Sequence, residues 1–384
     1  MEPSINVRRV LVIADDDFAT QALDEAVAAF GLFVRRVRRF DGAAGMVEEF
    51  GPDAVILDPD AVQDTRDVAL AAVAASGAAL LLLGSPDDPG LGILRQAAAD
   101  AGLRVDGLLT KPLATDSLEI ALRVIVGELG FTAADITGAV MRGEMTAWYQ
   151  LQLDRTPDGW RASGAEALAR WQHPEHGLVM PGAFLPVAES EGLIALITDC
   201  VLQNAVQQLS VWHRHGMHFR VGVNVSPALM QDHDFPDRLS RLLDEYDVPA
   251  HALVMEIREP ALGAVPDGFR AMLARLRVLG FGLSLERFGY GISSVADLYR
   301  TPFSELKISR RLISRLDEDE DTQHLVRGII ALARELELEV CGEAVETREA
   351  LEFLHAAECT RAQGFQISRP LPAAAFQVVA KQWL

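Results

Sequence analysis

Residues 219–224 read Phe-Arg-Val-Gly-Val-Asn, a short apolar run closed by an amide. The same device recurs along the chain. Leu253-Val254-Met255 runs into Glu256, Phe281-Gly282-Leu283-Ser284-Leu285 into Glu286, Leu306 into Lys307, and Val340-Cys341-Gly342 into Glu343. With Glu166 ahead of them and Gln363 near a last strand, seven polar residues arrive at intervals of 20 to 58 residues, the spacing of successive strand and helix units. A barrel of parallel strands gathers such residues on its carboxyl-end face, where barrel enzymes keep their chemistry. Amphipathic stretches fill the intervals: Leu193, Ile194, Ile197, Cys200 and Val201 in one, Leu325, Val326, Ile329, Ile330 and Ala333 in another. The pattern predicts a TIM-type β/α barrel.

Several carboxylates and an amide oxygen in one small cavity repel strongly unless cations sit among them, and hard oxygen ligands favour Mg²⁺, Mn²⁺ or Ca²⁺. Taken singly, each acid reads as a salt-bridged structural residue; placed jointly at strand ends, they suggest phosphodiester hydrolysis by a metal pair. The histidines do not compete for this role. His173 and His176 fall in a loop, and His213, His215 and His218 lack the i, i+4 spacing of a helical metal pair.

Upstream, Val10-Ile13, Ala54-Leu57, Leu80-Leu83 and Val105-Leu109 are short two-sided apolar runs, with Phe33-Phe40 as one more strand. They predict a doubly wound five-stranded parallel sheet with its polar site at the strands' carboxyl ends. There the sequence puts Asp15, Asp16 and Asp17 after strand one, Asp58 after strand three, Ser85 after strand four and Lys111 after strand five. An acidic pair can hold Mg²⁺, a further carboxylate can accept a phosphoryl group, and a lysine can neutralise it.

A chain of 384 residues exceeds one ordinary core, and the expected division is a domain at 1–125 and a second at 126–384 with its leading linker helix; across the hinge from Asp116 to Gly143, Leu118, Leu122, Ile125, Val126 and Leu129 recur at helical intervals. The net charge of −20 excludes nucleic acid and anionic membrane as bulk partners. The alanine-rich run Val68–Leu83 reads as a helix and a buried strand, not a membrane span. Cys200, Cys341 and Cys359 are too few and scattered for a disulfide framework, so buried thiols in the cytoplasm are expected.

The first segment resembles the receiver (CheY-like) domain of two-component response regulators. The resemblance implies Asp58 as phosphoacceptor, Asp15 and Asp16 as holders of one metal ion, Ser85 as the switch hydroxyl and Lys111 as the phosphate contact, with a histidine kinase or other phosphodonor as partner. Pro59-Asp60 and Gln63-Asp64-Thr65 depart from that family's loop. In the second segment Glu166-Ala167-Leu168, Arg170-Trp171, His173-Pro174, Asn224-Val225-Ser226-Pro227, Glu343-Ala344-Val345-Glu346-Thr347 and Gln363-Gly364-Phe365 resemble the EAL domain family, cyclic di-GMP phosphodiesterases of bacterial signalling. By that resemblance Glu166, Asn224, Glu256 and Glu286 are metal ligands, and Glu343, Lys307 and Glu166 serve catalysis. Arg170, Leu168, Gln150 and Gln363 line the dinucleotide site, with Leu151 standing where the family has a proline.

The family writes Asp-Asp-Phe-Gly-Thr-Gly-Tyr-Ser-Ser where this chain has Glu286-Arg287-Phe288-Gly289-Tyr290-Gly291-Ile292-Ser293-Ser294. Arginine has no lone pair to offer a cation and stays charged. A family-type site carries four net negative charges, which two divalent ions neutralise; Arg287 leaves two, which one Mg²⁺ or Mn²⁺ neutralises. The leading expectation is therefore a degenerate EAL barrel in a response regulator that binds cyclic di-GMP or a protein partner with little hydrolysis. The alternatives are an active metal-dependent phosphodiesterase and a nucleotide-independent interaction module; a homodimer is compatible with each.

Overall fold

The computed structural model describes residues 9–14, 33–38, 40, 44–84, 88–103, 105–109, 131–226, 229–258, 268–288, 295–317 and 319–384. The chain divides into two compact units, one of Met1–Gly138 with Glu175–Glu191, the other of Ala139–Pro174 with Gly192–Leu384.

The first unit holds five strands: β1 (Arg9–Ile13), β2 (Phe33–Val37), β3 (Ala54–Leu57), β4 (Ala79–Leu83) and β5 (Val105–Leu109). They pair in parallel in the order β2-β1-β3-β4-β5. Both faces are covered: Leu11, Ile13, Val55, Leu57, Leu80 and Leu82 are buried, and so are Val10, Val12, Ile56, Leu81 and Leu83 between them. That two-sided burial is why these strands read as unbroken apolar runs. Strand β2 is the exception, an edge strand whose Arg35 and Arg36 are exposed. The alanine-rich run resolves into a helix, Arg66–Ser76, ended by Gly77 in the left-handed region, and then β4. Of the linker helix, positions 118–129 lie outside the described residues; Ala133–Met141 is helical, started by a reciprocal Thr132 and Asp135 capping box.

The second unit is an eight-stranded closed barrel. Its strands are β6 (Met145–Thr156), β7 (Gly159–His173), β9 (Arg220–Asn224), β10 (Leu253–Arg258), β11 (Gly282–Phe288), β12 (Glu305–Ile308), β13 (Glu339–Gly342) and β14 (Arg361–Gln363); the short β8 (Gly177–Val179) precedes the helix Pro181–Ser190. From β7 through β14 the barrel pairs are parallel, but β6 runs antiparallel to both its neighbours and closes the ring. The expectation of uniformly parallel strands is corrected at this one strand. The cause is local: β6 and β7 form a tight hairpin, Thr156 pairing with Gly159, which only antiparallel strands permit.

Tyr149 on β6 anchors the helix Ile194–Arg214. Its hydroxyl donates to the Asn204 carbonyl at 3.2 Å, and its ring packs edge-on against Trp212. Along the helix Glu320–Glu335, Val326, Ile329, Ile330 and Ala333 are buried, while Leu325, at the margin of the stripe, is 53% exposed. Cys341 and Cys359 are buried thiols as expected, and burial pushes Cys359 up to about 12; Cys200 is only half-buried. Among the described residues no helix is long and apolar enough to cross a membrane.

Candidate active site

The parallel ladder brings the strand-end residues together. Glu166 on β7 pairs in register with Gly222 on β9, Asn224 with Glu256 on β10, and Arg258 with Glu286 on β11. Asn224 and Gln363 stand at the ends of their strands, Glu343 just beyond β13, and Glu256, Glu286 and Lys307 one or two residues inside. Glu166 differs: it lies mid-way along β7, whose hairpin runs on past the barrel rim. A glycine makes room for the cluster. A Cβ at position 222 would collide with the Glu256 carboxylate, which leans over β9.

Lys307, fully buried, is the hub. Its Nζ lies 2.5 Å from Glu256 Oε1, 3.2 Å from Glu166 Oε2 and 3.4 Å from Glu343 Oε1. Burial alone would favour the neutral amine, but Glu166, Glu256 and Glu343 outweigh it and hold the ammonium well above its ordinary range. The acids respond in opposite directions. Burial, then the charge of Glu166, drives Glu256 well above the carboxylate range. Burial also acts on Glu166, yet Lys307 and donors from Gln363, Lys307 and Asn224 bring its carboxyl below that range.

Glu166, Glu256 and Glu286 each offer one carboxylate oxygen, and the three oxygens lie within 4.8 Å of one another. Glu256 Oε1 has the Lys307 ammonium against it, while Glu256 Oε2, fully buried, has no partner among the described residues. Lys307 is shared between Glu166 and Glu256 of this set, and three carboxylates crowded this closely suit a hard divalent cation. Asn224 Nδ2 donates to Glu166 Oε1 at 2.8 Å, a bond that leaves its carbonyl oxygen for a cation.

Beside this cluster lies a row of amides. Gln363 Nε2 donates to Glu166 Oε2 at 2.8 Å and to Gln150 Oε1 at 3.1 Å, and Gln150 Nε2 donates to the Ser368 carbonyl at 3.0 Å. Further along β7, Leu168 is half-buried and Arg170 nearly fully buried. The Arg170 guanidinium stacks 5.7 Å from the Trp148 ring and gives one bond, 2.7 Å, to the Ala169 carbonyl, and its buried Nε has no partner among the described residues. Burial lowers Arg170 to about 10, opposed by Glu166, so it remains a cation at neutral pH. A buried cation with an unused donor beside a carboxylate cluster suits an anionic ligand that also carries metal-seeking oxygens.

Arg287 lies on β11 between Glu286 and Phe288; its side chain, and Tyr290 and Ile292 beyond, lie outside the described residues. Glu286 pairs with Arg258 Nε at 3.4 Å. Arg258 and Gln152 carry no strand-end signature in the sequence; Gln152 donates to Gln363 Oε1 at 2.8 Å. The available signal for Gln152 was period two: Gln150 and Gln152 share one face of β6. His213 and His215 bond to backbone carbonyls at 3.0 and 2.7 Å.

In the first unit Asp58 follows β3 and is buried. Its backbone N–H donates to the Ile13 carbonyl at 2.8 Å, and its side chain accepts from the Asp60 N–H at 3.1 Å. Asp15, Asp16, Ser85 and Lys111 lie outside the described residues.

The family model described as "EAL domain" matches residues 133–370, more than half the chain. The chain belongs to the EAL domain family. Over 240 residues it is 37% identical to the bifunctional diguanylate cyclase/cyclic di-GMP phosphodiesterase MucR of Pseudomonas aeruginosa, covering 62% of this chain and 35% of that protein. Over 308 residues it is 30% identical to the cyclic di-GMP phosphodiesterase RocR of the same organism, covering 76% of this chain and 77% of that one. Among solved structures, a MucR phosphodiesterase in complex with c-di-GMP superposes with a TM-score of 0.59 at 36% identity, covering 63% of this chain and 98% of that one. The chain spans about a third of the length of MucR and of several other curated relatives. The EAL barrel accounts for every strand from β6 to β14.

Proposed function

We propose that the EAL barrel binds cyclic di-GMP, with at most one Mg²⁺ or Mn²⁺, and hydrolyses it little or not at all. The observation that carries this reading is Arg287, next to Glu286 on β11 where the family resemblance implies a second acid. Glu166, Glu256, Glu286 and Asn224 would hold the ion, which would supply Lewis-acid stabilisation to a phosphate oxygen. Arg170 and Gln363 hold and orient the dinucleotide, and Lys307 with Glu343 would position a water. Loss of one cation of a pair removes several kcal/mol of transition-state stabilisation, and each ~1.4 kcal/mol is tenfold in rate. Binding through Arg170 survives that loss.

The first unit is proposed as a receiver-type input, phosphorylated at Asp58 by a histidine kinase or other phosphodonor, with one metal at Asp15 and Asp16 and with Ser85 and Lys111 answering the phosphoryl group. In this reading the protein works in the cytoplasm as a response regulator, divided near residue 125, and passes its state to a protein partner or a second copy of itself. The retained acid cluster favours one competing reading, an active phosphodiesterase. Calorimetric titration with cyclic di-GMP, with and without Mg²⁺, tests the proposal: binding of intact dinucleotide is expected, and no binding at high micromolar ligand refutes it.

A further inference from the structure

Resting on the metal-binding part of that reading, we propose that Gln152 is a positioning residue for the cation site, acting on Glu166 through Gln363. Gln152 and Gln363 are buried, 3% and 4% exposed, and lie directly opposite each other in the antiparallel pair of β6 and β14. Gln152 Nε2 donates to Gln363 Oε1 at 2.8 Å; Gln363 Nε2 then spends its two hydrogens on Glu166 Oε2, 2.8 Å, and Gln150 Oε1, 3.1 Å. Gln150 is itself fixed, because its Nε2 donates to the Ser368 carbonyl.

Only one orientation of the Gln363 amide satisfies this row. Turned over, its oxygen would face the Glu166 carboxylate and the Gln150 oxygen, and its nitrogen would face the Gln152 nitrogen. Three hydrogen bonds would become three like-pole contacts in a buried site. Gln152 supplies the donor that makes the turned state costly at Gln363 Oε1. By holding Gln363 it keeps a donor on one Glu166 oxygen, while Asn224 holds the other. The Glu166 carboxylate is thereby aimed at the oxygens of Glu256 and Glu286 before a cation arrives. Gln363 is the outer partner of the metal ligand, a role whose loss typically costs 10- to 100-fold in metal affinity, and Gln152 acts one step further out by holding it.

Gln152→Met keeps the volume and removes the donor. Titrating Mn²⁺ into full-length parent, Gln152→Met, Gln363→Met and the double variant tests the chain of action. Gln152→Met is expected to weaken the high-affinity Mn²⁺ site about tenfold, and to change it less than twofold when Gln363 is already Met. Equal weakening in both backgrounds means a merely structural role and overturns the proposal, as does an unchanged single variant. A parent that binds no Mn²⁺ contradicts the metal reading and this inference with it. A second measurement needs no substitution at 152: with ¹⁵N-glutamine labelling, the Gln363 side-chain amide of the parent is expected to exchange slowly with solvent. A fast-exchanging Gln363 amide overturns the proposal.

Discussion

Two ionic clusters sit at opposite ends of the same barrel strands, and they are built differently. At the amino end, Arg361, the first residue of β14, binds Glu305 of β12 through Nη1, Asp154 at 2.8 Å and Glu339 at 3.2 Å. Ser284 donates to the other Glu305 oxygen at 2.7 Å, and Arg220 adds a bond to Glu339 at 2.8 Å. Every acid there has its own donor. Two residues further along β12 and β14 lie Lys307 and Gln363, and at that level one lysine serves Glu166, Glu256 and Glu343 while Glu256 Oε2 has no partner among the described residues. Buried charges are tolerated when they are paired and hydrogen-bonded. The amino-end cluster is complete as protein; in the proposed function the carboxyl-end cluster is completed by a cation.

The largest expected effect separates the two. Arg361→Met strands Glu305 in the interior, and removal of one member of a buried pair costs about 3–5 kcal/mol. Denaturant unfolding should show that loss relative to the parent, of the same size with and without Mn²⁺, because both keep the carboxyl-end site and gain equally from the ion. Lys307→Met should also destabilise the metal-free protein, but here Mn²⁺ should restore stability, by about 2.7 kcal/mol at a hundredfold excess over its dissociation constant. Rescue of both variants, or of neither, would remove the distinction between the ends.

How far the sequence reveals this contrast depends on periodicity. The unbroken apolar runs of β1, β3, β4 and β5 and the strand-end polar residues from Asn224 to Gln363 announce both folds, because a parallel strand buried on both faces can hardly be written otherwise. Glu166, Asn224, Glu256 and Lys307 could be placed in one cluster for the same reason. The amino-end network was not legible: Glu305, Glu339 and Arg361 look like ordinary surface charges until the barrel closes and sets them beside one another. The antiparallel β6 and the role of Gln152 were hidden likewise, since a register is a property of two strands.

A medium effect probes the ligand side of the carboxyl end. Arg170→Ala should weaken cyclic di-GMP by about 1.5–3 kcal/mol, the worth of a hydrogen bond to a charged group, read by calorimetry. Arg220→Ala, at the amino end, should leave dinucleotide affinity unchanged. Equal losses would mean that Arg170 acts through the fold.

The smallest effect is a pH dependence with a defined sign. Glu256 has its carboxyl raised by burial and by Glu166, so the metal-free native state keeps a proton that the unfolded chain has released. Its contribution to stability is fully present below the unfolded carboxyl value, roughly 4.3, and is lost as pH rises through the raised native value. A bound cation requires the ionised carboxylate, so Mn²⁺ affinity should climb over the same range. Gln at position 256 should flatten the stability slope there; a slope unchanged in Glu256→Gln would assign the titration elsewhere.

The most direct measurement is the rate at which the parent protein and the Glu286→Asp, Arg287→Asp double variant convert cyclic di-GMP to the linear dinucleotide in Mn²⁺. The parent is expected to bind the dinucleotide and leave it intact, and the variant, with its second acid restored on β11, to gain orders of magnitude in turnover. A parent that already hydrolyses cyclic di-GMP at about 1 s⁻¹ or faster, within the ordinary enzyme range, would contradict the account.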